Sequence, residues 1–386
     1  MTVVFVLSGF PAYAGETQKD TILRIEPGKE NPRNSEGDMI ALKNGRLCLI
    51  YTRFRGGSSD HATADLAMRT SDDGGTDWSD DKIVVRCTGG LNVMSVSLLR
   101  LHSGEIALFY LRKTSKEDCR PLMCISNDEA KTWSRPIACI TDEIGYYVLN
   151  NDRAVQLRGG RLILPVAWHQ GPGQKRDSAG VIMCYRSDDN GKSFRRSKDS
   201  FKGYAPDGRR ITVQEPGVVE LNDGRLMMFM RTDAGSQYIC FSEDQGETWS
   251  KAQPSNLASP LSPAAIERSP WTSDLLCVWN DHSGAHPYPT GRRTPLCLAF
   301  SKDEGRTWSK SKILESNPDG WYCYTAMTFV KDRLLLAYCA GDKKVGGLNR
   351  LKVVAISKDE LSSQEYSQGK AIPIPINSNR DEAATQ

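Results

Sequence analysis

The residues best suited to chemistry stand where apolar runs end or turns begin. Arg231 closes the apolar run LMMFMR, and Glu215 opens the QEPGVVEL segment ahead of it. An arginine left unpaired at the end of a buried run is costly, so Arg231 calls for an anionic partner. Asp60 follows Gly56, Gly57, Ser58 and Ser59, a stretch able to form a loop that closes over a bound molecule; Asp65 lies beyond it. The segment WYCYTAM holds Tyr322 and Tyr324, which on a regular strand point the same way. Arg292 and Arg293 precede LCLAF, and Arg33 sits in NPRNSEGDMIAL with Glu36 and Asp38. No C-x-x-C pair and no His/Cys cluster suggests a zinc site, and no cofactor is implied.

Residues this scattered can act together only if a regular scaffold brings them to one place. Five segments supply the ruler: SDDGGTDW from Ser71, SNDEAKTW from Ser126, SDDNGKSF from Ser187, SEDQGETW from Ser242 and SKDEGRTW from Ser301. A decayed sixth, SKDE, begins at Ser357. Their first residues are 55, 61, 55, 59 and 56 positions apart, which fits a four-stranded propeller blade with somewhat long loops. Ahead of each box run a turn, an apolar strand and a second strand, as in NGRLCLIYTRF from Asn44 and DGRLMMFMR from Asp223. The sequence therefore predicts an all-β, six-bladed β-propeller in a single domain. Within each box, Ser and Asp can bond the backbone of a tight turn, Gly can take a positive φ, and Trp can anchor the hairpin. Asp73, Asp128, Asp189, Asp244 and Asp303 are thus expected to be structural. The strand-like segment 21–25 is expected to pair into the last blade and close the ring.

Composition narrows the class. A net charge of +3 over 386 residues argues against nucleic-acid binding. No apolar run approaches a membrane span. Residues 1–14 read as a processing segment, with Ala12, Tyr13 and Ala14 in an A-x-A arrangement, so export to the periplasm or medium is expected. Residues 15–376 then form the propeller and 377–386 a polar tail. Most of the eleven cysteines lie in apolar runs, and mostly free thiols are expected, with room for one disulfide. A monomer or weak oligomer is expected.

The ordered residues between the boxes resemble those of the bacterial sialidase (exo-α-neuraminidase) superfamily over nearly the whole chain. The resemblance implies a central site of three arginines, an Asp acid/base and a Tyr–Glu nucleophile pair. It implies that Arg33, just before the outer strand of the first blade, Arg231 and Arg293 bind a sugar carboxylate. It implies Asp60 as acid/base and Glu215 as the base for Tyr324, whose Y-T-A-M context favours it over Tyr322. The family's R-I-P motif is replaced here by RNSEGD, which leaves the roles of Glu36 and Asp38 open. Arg53, His61, Asn151, Asp152, Arg153 and Tyr322 are further candidate substrate contacts. Asn92, Asn150, Arg55 and Arg112 stand in comparable places, whereas His169 and His282 read as structural or surface residues. The activity implied is retaining hydrolysis of terminal α-linked sialic acids from sialylated glycans. A tyrosine nucleophile suits it, because a neutral phenol is not repelled by the sugar's carboxylate. Two alternatives remain: a hydrolase or lyase for another acidic sugar, and a non-catalytic glycan-binding propeller.

Overall fold

In the computed structural model, which describes residues 17–362, nearly all regular structure is β-strand. The expected processing segment and the polar tail lie outside the described residues. Six four-stranded units follow one another, each running from the central axis outward. The first blade orders Arg33–Ala41, Leu47–Phe54, Ala64–Ser71 and Lys82–Val85. The fourth orders Val213–Glu220, Leu226–Thr232, Ser236–Ser242 and Gln253–Ala258, and the fifth Ala265–Arg268, Leu275–Trp279, Leu296–Ser301 and Lys312–Glu315. The second and third blades share one hydrogen-bonded sheet, because Tyr146–Val148 pairs with both of them. In the third blade the inner strand is interrupted between Val148 and Val155, and the gap carries Asn150, Asn151 and Asp152.

Closure is as expected. Asp20–Ile25 pairs antiparallel with Leu351–Ser357 as the outermost strand of the sixth blade, so the two ends of the described chain share one sheet. This leaves no open edge between first and last repeats. One expectation is corrected: Arg33 opens the innermost strand of its blade, not an outer one, because every blade starts at the axis and ends at the rim.

The boxes form the predicted turns. In the fifth blade Ser301 Oγ donates to Asp303 Oδ1 at 2.9 Å, Thr307 N donates to the same oxygen at 2.8 Å, and Gly305 N donates to Ser301 Oγ at 2.8 Å. Each box aromatic then enters an apolar core between two blades. Trp133 packs between the first and second, Phe194 between the second and third, Trp249 between the third and fourth, and Trp308 between the fourth and fifth. Trp78 joins the first blade to the sixth and donates from Nε1 to Ile22 O at 2.9 Å. The sixth box lacks both Gly and Trp. There the chain forms the short helix Lys358–Ser362, with Glu360 N donating to Ser357 Oγ. Trp271, from a loop of the fifth blade, fills the sixth core instead, edge-on to Phe329 and donating to Lys331 O. All eleven cysteines are free thiols, ten of them buried small side chains.

Candidate active site

Four of the inner strands share one irregularity. Pairing with the neighbouring strand slips between Ser35 and Asp38, Met94 and Ser97, Gln214 and Gly217, and Cys323 and Ala326. Inside each slip one residue takes a left-handed backbone: Glu36 (φ 51°), Ser95 (59°), Glu215 (50°) and Tyr324 (58°). Such a bulge re-aims a side chain away from the strand's regular alternation. All four side chains line the same pocket on the propeller axis, together with Asp60, Lys113, Asn150, Tyr146, His169, Arg176, Gln214 and Arg231.

The bulge settles which tyrosine reaches the axis. Alternation puts Tyr322 and Tyr324 on one face, but the slip between Cys323 and Ala326 separates them. Tyr322 is buried in the core between the fifth and sixth blades, edge-on to Tyr338. Tyr324 faces the pocket and donates from its hydroxyl to Glu215 Oε1 at 3.2 Å. Glu215 Oε2 lies 3.1 Å from Arg231 Nη1, an ion pair without hydrogen-bond alignment, so both atoms keep unused hydrogen-bonding capacity. Gln214 holds the other side of Arg231, accepting from its Nε at 3.1 Å. The Arg293 guanidinium lies 5.6 Å from the centre of the Tyr324 ring, and its Nη1 has no hydrogen-bond partner. Burial pushes the Tyr324 phenol well above its ordinary pKa, and the Glu215 carboxylate adds to this against Arg231 and Arg293. The resting phenol is therefore protonated, with the Glu215 carboxylate already in contact.

Asp60 stands at the pocket mouth on the loop after Phe54. Asn92 Nδ2 donates to the backbone oxygens of Asp60 and Ala62 at 3.0 and 2.9 Å, and Lys113 Nζ to Asp60 O at 2.5 Å, which ties this loop to the second blade. The Asp60 carboxylate accepts from Arg33 Nη1 at 2.6 Å. Burial by itself would raise its pKa, but the Arg33 charge and hydrogen bond outweigh that and leave it below the ordinary carboxylate value. Its side chain is 63% exposed, so water screens the pair.

Arg33 is placed differently from the other two arginines. It is buried, over the Phe54 ring, with Nε on Ser35 Oγ, Nη1 on Asp60 and Ser58 O, and Nη2 on Glu36 Oε1. It braces the site from behind. Several other candidates lie away from the pocket. Arg53 pairs with Asp81 at 3.2 Å, Arg55 pairs with Asp65, and His61 is exposed on its loop. Asn151 Nδ2 donates to Gly37 O and Tyr324 O and so pins the backbone of the sixth-blade bulge. Asp152 and Arg153 face a second cavity of about 530 Å³ further along the axis, with Asp38 and Glu267. Asp38 accepts from Met39 N and Leu98 N, both at 2.6 Å, and Asp152 from Met327 N at 3.0 Å. These acids staple blades across the channel. The second cavity is larger than the pocket of about 140 Å³ around Tyr324, but the tyrosine and its base are in the smaller one.

The pocket also holds residues to which the sequence assigns no place in it. The sequence does not single out Ser95 and leaves the role of Glu36 open, yet both, like Glu215, lie nine positions before a turn glycine, Gly104, Gly45 and Gly224, and this spacing could have placed them. His169 lines the pocket and is buried, not a surface residue. Its Nδ1 lies 2.7 Å from Asp177 O, which can only accept, so Nδ1 carries the proton. Burial pushes its pKa down to about 4, so the ring is neutral above that. Away from the axis, Asp281, His286 and Cys297 have ligand atoms within 4.8 Å of one another and could hold a metal ion. Ser311 joins the first two by hydrogen bonds.

Comparison with known proteins agrees with this architecture. A sialidase of Bacteroides fragilis is 28% identical over 213 residues, which is 51% of this chain and 36% of that protein. A sialidase of Micromonospora viridifaciens is 25% identical over 370 residues, 84% of this chain and 51% of that protein. The chain thus spans about a third to a half of the length of these curated relatives. The leech intramolecular trans-sialidase, solved with 2,7-anhydro-Neu5Ac, superposes with a TM-score of 0.70 at 16% identity, covering 90% of this chain and 71% of that one. Residues 45–337 match the family described as BNR repeat-like domain. With that match and its six blades, the chain belongs to the BNR repeat-like family, within the sialidase superfamily of β-propellers.

Proposed function

We propose that this protein is an exo-α-sialidase that releases terminal sialic acids with retention of configuration. The observation that carries the reading is the contact of Tyr324 with Glu215 in one pocket, with Arg231 paired to Glu215 and the Arg293 guanidinium 5.6 Å from the centre of the Tyr324 ring. In the first step the Tyr324 oxygen attacks the anomeric carbon while Glu215 accepts the phenolic proton. Asp60 protonates the departing glycosidic oxygen. In the second step Asp60, now a carboxylate, takes a proton from water, which attacks the anomeric carbon from the face the aglycone left; the Tyr324–carbon bond breaks, Glu215 returns the proton to the tyrosine oxygen, and the two inversions retain configuration. Arg231 and Arg293 would bind the sugar's carboxylate, arginine being a fixed positive fork; each keeps a buried Nη1 without a hydrogen-bond partner, which supports this role.

Asp60 must be protonated for the first step, and Arg33 opposes this. Turnover should therefore be greatest on the acidic side and fall as pH rises. The test is incubation with sialylated glycans and an aryl sialoside, with the product identified by mass and NMR. Free sialic acid, or a 2,7-anhydro product of the kind bound in the leech enzyme, supports the reading. Absence of turnover on sialosides of every linkage defeats it. A second reading, a hydrolase for a different acidic sugar, is favoured by one observation: Arg33 is held by Glu36 and Asp60 instead of being open to the pocket. Turnover of other acidic glycosides, with none of sialosides, would establish that reading.

A further inference from the structure

The RNSEGD segment leaves one pocket carboxylate without a task. Glu36 is only 4% exposed and lines the pocket with Glu215, Tyr324 and Arg231. Its Oε1 accepts from Arg33 Nη2 and its Oε2 from Ser95 Oγ, both at 2.8 Å. The same Arg33 gives Nη1 to Asp60 and Nε to Ser35. A ligand carboxylate could reach this guanidinium only by displacing Glu36 or Asp60. Arg231, which lines the pocket on the fourth blade, and Arg293, whose guanidinium lies 5.6 Å from the centre of the Tyr324 ring, each keep a buried Nη1 without a hydrogen-bond partner, and Arg176 also lines the pocket.

The charged groups acting on Glu36 are Arg33 and Asp60 from its own blade and Glu215 from the fourth. The second blade faces it with the neutral Ser95 and the sixth with the Cys339 thiol. Of the charged groups that act most on Glu36, two are carboxylates, and a bound sugar acid would add another; Lys113, Arg176 and Arg231 line the same pocket as cations, and the Cys119 thiol faces it from the second blade. Burial already raises the proton affinity of Glu36; Arg33 opposes this, while Asp60 and Glu215 reinforce it.

We propose that Glu36 takes up one proton from solvent when a carboxylate-bearing sugar enters the pocket, and that the resulting carboxylic acid supplies the hydrogen-bond donor that Arg33 no longer offers on that side. One oxygen of the neutral acid still accepts from Arg33, and the other carries the O–H. The inference rests on the acidic-sugar reading above.

The test is calorimetric titration of the protein with DANA, an inhibitor bound by another sialidase of this fold, in buffers of different ionisation enthalpy. Uptake of about one proton per ligand is expected, with affinity falling about tenfold per pH unit over the range where Glu36 is ionised before binding. Glu36→Gln, shown by thermal unfolding to be folded, should bind DANA without proton uptake and with an affinity that is flat with pH. Binding to the wild-type protein without proton exchange overturns the inference and leaves the functional reading standing. Uptake that persists in Glu36→Gln also overturns it, because the proton then resides elsewhere, with Asp60 the nearest alternative. If DANA does not bind at any pH, the acidic-sugar reading falls and the inference falls with it.

Discussion

The rim and the axis of this propeller use the same unusual backbone for opposite ends. At the rim, each of four box turns uses two successive left-handed positions: the second is Gly75, Gly191, Gly246 or Gly305, at φ between 80° and 101°, where glycine sits without strain, and the first is Gly74, Asn190, Gln245 or Glu304, at φ between 57° and 78°. At the axis, the bulges place Glu36, Ser95, Glu215 and Tyr324 at φ between 50° and 59°, where each side chain costs roughly 1–3 kcal/mol. The rim needs only a turn, so in four boxes glycine can take one of the two left-handed positions, and the residue at the other varies from box to box. The axis needs a particular side chain aimed inward, and it accepts strain to keep it.

The largest effect should follow from changing the axis chemistry without changing its shape. Tyr324→Phe removes one oxygen and Glu215→Gln one basic site. Each should lower kcat/KM by a factor on the order of 10³ in a sialoside assay, with unfolding temperature nearly unchanged. A variant that keeps a tenth of the wild-type rate would remove Tyr324 and Glu215 from the mechanism. The next effect lies farther along the same channel. Burial raises the pKa of Asp152 to about 6, against the hydrogen bond with Glu267, the neighbouring Arg153 and the Met327 amide, which lower it. A group whose pKa is raised on folding contributes stability that is complete below its unfolded value near 4 and is lost as pH rises through its folded value. Wild-type stability should therefore decline by roughly 2–3 kcal/mol between about pH 4 and 6 through this group. Asp152→Asn should flatten that decline in urea unfolding curves taken across the range, and an unchanged decline would assign it to Asp38 or Glu267.

The two regions also differ in how far the sequence discloses them. The box turn is built within eight residues, so Ser, Asp, Gly and Trp must stand at fixed spacing and the repeat is visible. The same spacing yields the number of blades and the segment that closes the ring. At the axis, four of the six blades contribute a bulged inward residue, and those residues differ because they do different things. No common letter marks the bulge, only its distance from the next turn glycine. Strict alternation accordingly put Tyr322 beside Tyr324, and the bulge parted them. Arg33 was legible as a charged residue near the axis. Its partners were not, because its contact with Asp60 spans a loop and that with Glu36 depends on the bulge. His169 gave no signal at all, since its place in the pocket depends on how the third blade sits beside the second.

A rim change should do the reverse of Tyr324→Phe and cost stability alone. Asp303 accepts from Ser301 Oγ, Thr307 N and Thr307 Oγ1 at 2.7–2.9 Å. Asp303→Ala leaves these donors to water in a half-open turn, which should cost about 1–2 kcal/mol. Chemical denaturation measures that loss, and kcat on a sialoside should stay within twofold of wild type. A tenfold fall in kcat for a folded protein would mean that the rim and the axis are coupled.

The smallest effect tests whether strain alone separates the two regions. The second box has Ala130 where the other four complete boxes have glycine, at φ 61°, with its amide donating to Ser126 Oγ at 2.9 Å. Ala130→Gly should relieve about 1–2 kcal/mol of left-handed strain. Against this, glycine's extra freedom in the unfolded chain costs about 0.4–1 kcal/mol. The alanine methyl is also buried, in the core between the first and second blades beside Trp133. Removing it forfeits up to about 0.8 kcal/mol of apolar burial. The contributions nearly cancel, so the midpoint of urea unfolding should move by less than the equivalent of about 0.5 kcal/mol. A gain above about 1 kcal/mol would mean that the rim, like the axis, carries unrelieved strain. A loss of that size would mean that the methyl earns its place by packing, and that glycine at the other boxes is a matter of space as well as φ.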